Sequence, residues 1–438
     1  MKIIIVLLDG AGDRSCQIFG NRTPLQAADT PNLNRLAALG GSGLFHASRI
    51  GQCLPSETAH YLLFGYDLGD FPGRGLLEAV GYGTPFNDGD VLSLAHLSGV
   101  DFRGQTPLLT VARKRIEENE VEISSLYAAV KPVQLHGIDF HLHRTDHNDA
   151  ILVMSGDVSP YVSDSDPMIP GYPMARIKPL FGNPEPEKAV KTARALNAYL
   201  SYCHGVLSER QLRLGKDAVS GRRANFLATQ RCGRRIVQRP FEELWGLRGM
   251  LIASGAIYGG LAHELGLMFN RQEDSSDPGL DLRKRIRIAL ADSAHEFFHV
   301  HTKVPDEAAH KGDPFLKKTV LSKLDRGLDE LVNAVKTRDD LIVAVTADHS
   351  TPCESTLIHS GEPVPVTVVG GRARRDSVEI FDEIEASKGC VGSLRGRELM
   401  LLLLNYADQS VLAGHRLGSR QKTHFPGRYE AFTGNGSI

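Results

Sequence analysis

Continuous runs of apolar, mostly β-branched residues recur near both ends of the chain. The run 3–8 (IIIVLL) ends at Asp9, and similar runs occupy 297–304 (FFHVHTKV), 341–348 (LIVAVTAD) and 365–371 (PVTVVGG). A strand that is buried on both faces, as in a parallel sheet, shows such a run instead of a strict alternation. The pattern therefore predicts buried strands at these four places.

Helical patterns lie between these runs. The stretch 30–40 (TPNLNRLAALG) has a threonine-proline start and a glycine stop, and longer patterns cover 314–335 and 396–407. The glycine-broken apolar segment 250–267 (MLIASGAIYGGLAHELGL) is interpreted as one packed helix with small-residue contacts. Strands that alternate with helices predict an α/β fold, a doubly wound and mostly parallel sheet.

The middle of the chain follows a different pattern, with short apolar runs and many turn signals. Within it, 136–158 alternates as an antiparallel hairpin does, 179–190 is a proline-rich linker, and 188–207 predicts a helix. We therefore predict a smaller α+β domain at 89–235, inserted into a discontinuous domain formed by 1–88 and 236–438.

Composition limits the classes of partner. The 438 residues exceed what one hydrophobic core usually supports. Lys and Arg total 50 and Asp and Glu total 52, so no global field attracts nucleic acid or an acidic membrane. The initial apolar run is too short for a secretory signal, and the six cysteines are scattered as reduced thiols usually are. We expect a cytoplasmic protein without a nucleic-acid or membrane partner. The sequence leaves an oligomer open.

Side chains that bind metal ions follow the predicted strands. Asp9 ends the first run, Asp306 and His310 come directly after the run at 297, and Asp348 and His349 close or follow the next one. In an open α/β sheet, ligands bind beyond the carboxyl ends of the strands. We therefore expect these five residues at one edge of the sheet.

A loop at 52–67 (QCLPSETAHYLLFGYD) adds a serine to this set. Ser56 stands between a proline and a glutamate, His60 follows four residues later, and His359 lies in a late loop. Taken alone, Ser56 would more often be a helix N-cap, Asp9 a turn residue and His60 a hydrogen-bonded helix histidine. Their joint order on one scaffold favours a functional site.

The residue types indicate transition-metal chemistry. Mixed carboxylate and imidazole ligands suit zinc or manganese better than calcium. The ligands outnumber those of one tetrahedral ion and suit two divalent ions, manganese or zinc, with cobalt and magnesium as further candidates. One ion would lower the pKa of the Ser56 hydroxyl, and both would neutralise a phosphoryl group in transfer.

Several words in the chain are shared with one known family. They are LLDGAGD, TPLQAADTPNLNRLAALG, PSETAHYLLFGYD, GRGLLEAVGYG, SDSDP, KVPDEAAHKGD and TADHSTP with HSGEPVP. With them the chain resembles, over nearly its full length, the archaeal-type 2,3-bisphosphoglycerate-independent phosphoglycerate mutases of the alkaline phosphatase superfamily.

The resemblance implies a fold of alkaline-phosphatase type and a glycolytic isomerase. The enzyme would interconvert 3-phosphoglycerate and 2-phosphoglycerate, with Ser56 as the phosphorylated residue and the inserted domain closing over the small phosphorylated acid. The implied ligands of the first ion are Asp9, Ser56, Asp348 and His349, and those of the second are Asp306, His310 and His359.

The substrate pocket departs from the family pattern. Asn148 and Ser155 stand where the family is expected to have arginines, which bind phosphate and carboxylate in bidentate fashion. The candidate substrate-binding residues are His60, Arg144, Arg231 and Arg248, with Arg222, Arg223 and Arg234 nearby. These departures leave three alternatives open: a relative that acts on another phosphorylated or phosphonate acid, a plain phosphatase, and a non-catalytic binding protein.

Overall fold

The computed structural model describes residues 1–113, 116–213, 223–419, 421–427 and 429–433, so Arg222 lies outside the described residues. The strands are β1 (Lys2–Leu8), β2 (Gly41–His46), β3 (Val91–Arg103), β4 (Thr106–Val111), β5 (Val133–Leu135), β6 (Ile138–Arg144), β7 (Asp149–Gly156), β8 (Phe226–Gly233), β9 (Gly249–Ala253), β10 (Met268–Arg271), β11 (Phe297–Thr302), β12 (Leu341–Thr346), β13 (Val364–Gly370) and β14 (Gly392–Arg395). The helices are α1 (Pro24–Ala27), α2 (Pro31–Leu39), α3 (Ser56–Leu63), α4 (Arg74–Tyr82), α5 (Glu120–Ala129), α6 (Pro186–Arg213), α7 (Phe241–Trp245), α8 (Ala256–Leu265), α9 (Pro278–Ala291), α10 (Val304–His310), α11 (Pro314–Arg326), α12 (Asp329–Thr337) and α13 (Glu398–Tyr406).

The chain forms two units, one built from Met1–Phe71 with Gln238–Ile438 and the other from Pro72–Val237. The first division lies at Pro72, whereas the sequence pattern placed it at 89. The difference comes from α4, whose Leu76 packs with Leu92 of β3 in the second unit. A Cβ on Gly75 would lie only 2.3 Å from the Leu92 carbonyl oxygen, so this glycine allows the close approach of helix and strand.

The first unit contains an eight-stranded sheet in the order β10-β9-β11-β1-β12-β13-β2-β14. The strands from β10 to β12 run parallel, and only β13 runs antiparallel to its neighbours. The predicted mostly parallel α/β fold is thus confirmed. Leu8 of β1 is level with Thr302 of β11, and Leu7 is level with Thr346 of β12. The residues that follow these three strands therefore meet at one edge.

One predicted element is wrong. Segment 250–267 is not a single helix, because its first part forms β9, which pairs in parallel with β10 and β11, and only its second part forms α8. The β9 residues are fully buried on both faces, so their apolar run has no helical phase to read. The pattern at 314–335 likewise divides into α11 and α12 around Gly327, where a Cβ would lie 2.4 Å from the Gly279 carbonyl oxygen.

The second unit is built on a six-stranded antiparallel sheet. Its strands follow the order β4-β3-β7-β6-β5, and β8 also pairs with β3. The predicted hairpin is confirmed as β6 and β7, which pair from Ile138 with Gly156 to Arg144 with Ala150. The long helix α6 covers the predicted helix at 188–207 and packs into the apolar core of this sheet. Among the described helices, none combines the length and the apolar character needed to cross a bilayer.

Candidate metal centre and nucleophile

The carboxyl edge of the first sheet gathers the predicted ligands. Asp9 follows β1, Asp306 lies in the first turn of α10 after β11, and Asp348 and His349 follow β12. Ser56 is the first residue of α3, and its N-cap is Pro55, which provides no side-chain hydrogen bond. The N-cap interpretation of Ser56 is therefore wrong, and its hydroxyl is directed to the sheet edge instead.

The Ser56 hydroxyl lies among charged side chains. Its Oγ is 3.4 Å from Asp9 Oδ1, 3.1 Å from His349 Nε2 and 3.1 Å from Lys303 Nζ. Only 6% of the residue is exposed. A buried serine in contact with a carboxylate, an imidazole and an ammonium group has the surroundings of an activated nucleophile.

Asp348 is oriented by two backbone donors. The N–H groups of Gly10 and His349 both donate to Asp348 Oδ1 at 3.0 Å, and His349 Nε2 lies 3.1 Å from Oδ2. Gly10 has a φ of +64°, and a Cβ at this position would come within 2.8 Å of the Asp306 Cβ. Only glycine fits here, which lets the loop after β1 approach both aspartates.

A second group of ligands surrounds Asp306. Its Oδ1 lies 3.3 Å from His310 Nε2 and 3.4 Å from His359 Nε2, and these three residues could hold a metal ion. His359 Nδ1 lies 2.7 Å from the Leu54 carbonyl oxygen and donates to it, because a carbonyl only accepts. The lone pair of His359 is therefore on Nε2 and faces Asp306, as a metal ligand requires.

The charges at this edge favour bound cations. Burial alone would raise the pKa of Asp9, but the Lys303 ammonium and His301 hold it well below its ordinary range. Burial opposes the same shift at Asp306, where His310, His359 and Lys303 hold the carboxyl pKa low. Asp9, Asp306 and Asp348 raise the pKa of Lys303 against the effect of its burial. Ionised carboxylates thus face one ammonium group, which leaves a negative site.

Sequence reasoning missed Lys303, which ends the predicted strand and precedes α10. Its Nζ contacts Asp306 Oδ2 at 2.9 Å in addition to Asp9 and Ser56. The available signal was a lysine three residues before a predicted metal ligand in a loop. His301 and Tyr258 were also missed, although two histidines in an otherwise apolar strand are an unusual feature.

His60 lies beneath the serine and does not face the open side of the site. Its Nδ1 is 2.7 Å from the Ser56 carbonyl oxygen, and the side chain is fully buried. Burial lowers its pKa to about 4, so the imidazole is neutral at neutral pH. This geometry favours the interpretation that His60 supports the first turn of α3.

Arg248 does not join this cluster. It precedes β9 and therefore lies at the amino edge of the sheet, opposite the metal ligands. Its guanidinium is exposed and pairs with Glu296, which directly precedes β11 at the same edge. The match of Arg248 to a substrate-binding lysine fails because it assumed one helix at 250–267.

The two other candidate arginines belong to the second unit. Arg144 ends β6, where its guanidinium donates to Ser124 Oγ, Glu120 and the His147 carbonyl oxygen. Arg231 lies in β8 with a φ of +54°, and its backbone N–H donates to Asp164 Oδ1 at 2.7 Å.

Asn148 contributes to the frame of the second unit. Its amide Nδ2 donates to the carbonyl oxygens of Leu97 and Arg113 at 3.1 and 3.0 Å, and only 4% of the residue is exposed. Asn148 thus binds backbone groups instead of replacing the charge of an anion-binding arginine.

A buried lysine ties together the two loops that carry the first ligand set. Lys317 Nζ donates to the Gly12 carbonyl, Asp13 Oδ2 and the Thr351 carbonyl at 2.8, 3.0 and 2.8 Å, with no exposed surface. Gly12 and Asp13 belong to the loop of Asp9, and Thr351 belongs to the loop of His349. The ammonium group thus fixes the spacing of both loops.

We expect Lys317→Met to lower the free energy of unfolding of this unit by about 3–5 kcal/mol, because it leaves Asp13 as an unpaired buried charge. Urea unfolding followed by the fluorescence of Trp245, the chain's single tryptophan and fully buried in this unit, would measure the loss. Lys318→Met is the matched control, since the neighbouring Lys318 is only partly buried. A loss as small as that of the control would contradict this role.

Glu383 is expected to make stability depend on pH. It accepts hydrogen bonds from the Asp13 N–H and the Thr23 hydroxyl, yet burial raises its pKa to about 7. In the unfolded chain a glutamate titrates near about 4.3, so between these values the folded state holds the proton more tightly. The stability that neutral Glu383 contributes is therefore complete below the unfolded pKa and is lost as pH rises through about 7.

Glu383→Gln mimics the neutral side chain. We expect this variant to exceed the wild type in unfolding free energy by about 2–3 kcal/mol at pH 8 and to match it near pH 4. Urea titrations at both pH values would show the gap. Glu385→Gln, which alters a more exposed carboxylate paired with Lys388, should show no such pH-dependent gap. A gap that is constant with pH would refute the assignment.

Comparisons with known proteins place the chain among metalloenzymes. A model of the metalloenzyme superfamily matches residues 1–406. The 2,3-bisphosphoglycerate-independent phosphoglycerate mutase 2 of Methanocaldococcus jannaschii is 37% identical over 97% of this chain and 98% of its own length. The corresponding mutase of Methanopyrus kandleri is 33% identical over 93% of this chain and 97% of its own.

Solved structures agree with these relatives. The cofactor-independent phosphoglycerate mutase of Thermoplasma acidophilum is 28% identical and superposes with a TM-score of 0.61 over 93% of this chain and 100% of its own. A protein of Pyrococcus horikoshii is 25% identical, with a TM-score of 0.73 over 94% and 99% of the two chains. The similarity thus extends over both units.

Proposed function

The chain belongs to the 2,3-bisphosphoglycerate-independent phosphoglycerate mutases of the metalloenzyme superfamily, and on this premise we propose that Ser56 carries the phosphoryl group between two positions of glycerate. The reaction interconverts 3-phosphoglycerate and 2-phosphoglycerate. The observation that supports this role most directly is the position of Ser56 Oγ, within 3.4 Å of Asp9, His349 and Lys303.

Two divalent ions fit the ligands at the sheet edge. The proposed ligands of the first ion are Asp9, Ser56, Asp348 and His349, and those of the second are Asp306, His310 and His359. Carboxylates with imidazoles suit manganese or zinc, with cobalt and magnesium as further candidates. When bound, the ions supply positive charge that lowers the pKa of the serine hydroxyl and offsets the charge of the phosphoryl oxygens.

The chain's own groups would carry out the transfer in two steps. The Ser56 oxygen forms a bond to phosphorus while the bond between phosphorus and the glycerate ester oxygen breaks, and that oxygen takes up a proton. In the second step the other glycerate hydroxyl attacks phosphorus, loses its proton and releases Ser56. Lys303, already at 3.1 Å from Ser56 Oγ, is placed to contact a phosphoryl oxygen in both steps.

Substrate recognition is proposed in part for the second unit. A guanidinium can bind a carboxylate in bidentate fashion, so Arg231 and Arg144 remain candidates for the acid group of glycerate. Arg144 already donates from three nitrogens to protein groups, which makes Arg231 the better candidate. We also propose that the enzyme acts in the cytoplasm, where its six free cysteines would stay reduced.

An assay coupled to enolase tests this function, because enolase consumes 2-phosphoglycerate only. With 3-phosphoglycerate as substrate we expect coupled turnover that greatly exceeds the release of free phosphate. Ser56→Ala assayed in parallel shows how much signal comes from contaminating mutase. Phosphate release without coupled turnover would identify a phosphatase and overturn the proposal.

A second candidate function rests on Asn148. The side chain binds only backbone carbonyls at the position where an anion-binding arginine was expected from the resemblance. The same metal chemistry could then serve another small phosphorylated or phosphonate acid. Turnover of such an acid, with none of either phosphoglycerate, would favour this alternative.

A further inference from the structure

The two carboxylate oxygens of Asp9 face different surroundings. Oδ1 faces the reactive side, at 3.4 Å from Ser56 Oγ and 3.7 Å from His349 Nε2. Oδ2 faces the protein interior, at 2.9 Å from the Tyr258 hydroxyl and 2.9 Å from His301 Nε2. Lys303 Nζ also approaches Oδ2, at 3.3 Å.

The donors on the interior side are fixed in direction and place. An ionised carboxylate only accepts hydrogen bonds, so the Tyr258 hydroxyl and His301 Nε2–H both donate to it. Tyr258 is 2% exposed and His301 is fully buried, and their ring centroids are 4.1 Å apart. Arg285 Nη1 donates to the His301 carbonyl at 2.7 Å, which fixes the end of β11.

We propose that Tyr258 and His301 are positioning residues that hold Asp9 so that Oδ1 alone is presented to the ion at Ser56. This inference rests on the two-ion function proposed above. Two donors on Oδ2 occupy its lone pairs and prevent the carboxylate from turning both oxygens to one ion. The ion, and with it the Ser56 oxygen, thus keeps one position relative to the substrate. Neither residue touches the reacting atoms.

A different role for these side chains has to be distinguished. Asp9, His60 and His301 offer ligand atoms within 4.8 Å of one another and could hold an ion of their own. A tetrahedral ion at about 2.1 Å from each ligand would separate two ligand atoms by about 3.4 Å. The observed 2.9 Å between His301 Nε2 and Asp9 Oδ2 is the ordinary length of a hydrogen bond.

Calorimetric titration of Mn²⁺ into the metal-free protein tests the inference. The wild type should bind two ions. Tyr258→Phe, which keeps the ring and removes only the hydroxyl, and His301→Leu should each weaken one ion about 10- to 100-fold and leave the other unchanged. The unaffected ion, held by Asp306, His310 and His359, serves as an internal control. Tyr66→Phe, which removes a buried hydroxyl bonded to the Arg239 carbonyl, should leave both ions unchanged.

Two further readouts separate positioning from general loss of structure. His301→Gln restores an N–H donor and should recover part of the affinity that His301→Leu loses. At saturating Mn²⁺, Tyr258→Phe should lower kcat and leave KM unchanged, because the substrate still binds while the serine is misplaced.

The possible outcomes distinguish the inference from its premise. Equal weakening of both ions, or no change in either, in Tyr258→Phe and His301→Leu would overturn the positioning role alone. Three ions per wild-type chain would also overturn it, since His301 would then be a ligand. A wild-type protein that binds no divalent ion would refute the two-ion function as well.

Discussion

Ser56→Ala is expected to lower mutase turnover by about 10⁴-fold or more, because it removes the only atom proposed to carry the phosphoryl group. The loss should appear in kcat, with substrate still bound by the remaining groups. Phosphorylation of the protein by substrate, followed by intact mass, should disappear in the same variant. The fold should remain, since the hydroxyl makes no capping hydrogen bond in α3.

Ser48→Ala is the matched control for this variant. Ser48 precedes the same helix, but its hydroxyl donates to Gln52 on the surface. This variant should retain wild-type kcat and phosphorylation. If Ser56→Ala kept more than a small fraction of the wild-type rate, phosphoryl transfer would not pass through Ser56.

Removal of divalent ions is expected to abolish turnover and to lower the thermal midpoint of the protein. The edge of the sheet holds Asp9, Asp306 and Asp348, which ions would neutralise together with the Lys303 ammonium. An ion present at 100 times its dissociation constant stabilises the folded state by about 2.7 kcal/mol per site. Chelation followed by differential scanning fluorimetry and the coupled assay measures both effects, and added Mn²⁺ should restore them.

A pair of histidine variants makes the metal prediction specific. His310→Ala removes one ligand of the second ion and should lower both turnover and the gain in thermal midpoint on adding Mn²⁺. His295→Ala alters another histidine that pairs with an aspartate, Asp292, but at the amino edge of the sheet. It should behave as the wild type. A chelated protein that works at the full rate would exclude the metal mechanism.

Much of the fold follows from apolar runs that a buried parallel sheet requires. The strands after which Asp9, Asp306 and Asp348 stand were predictable, because each run ends at a polar turn with ligand chemistry. Periodicity could not separate β9 from α8, because a strand buried on both faces and a buried helix are both apolar throughout. That ambiguity also misplaced Arg248.

The remaining parts of the site depend on tertiary contacts that no local pattern encodes. Lys303, His301 and Tyr258 reach Asp9 from a helix cap, a strand and a second helix. Each residue alone has an ordinary interpretation as a solvated lysine, a core histidine or a core tyrosine. Only the alignment of β1 with β11, which the structure supplies, places His301 beside Asp9.

Anomalous diffraction from crystals grown with Mn²⁺ tests the central claim most directly. We predict two manganese peaks at the carboxyl edge of the first sheet, one within about 2.2 Å of Ser56 Oγ and the other among Asp306, His310 and His359. A protein with mutase activity but with no peak within coordination distance of Ser56 would contradict the account.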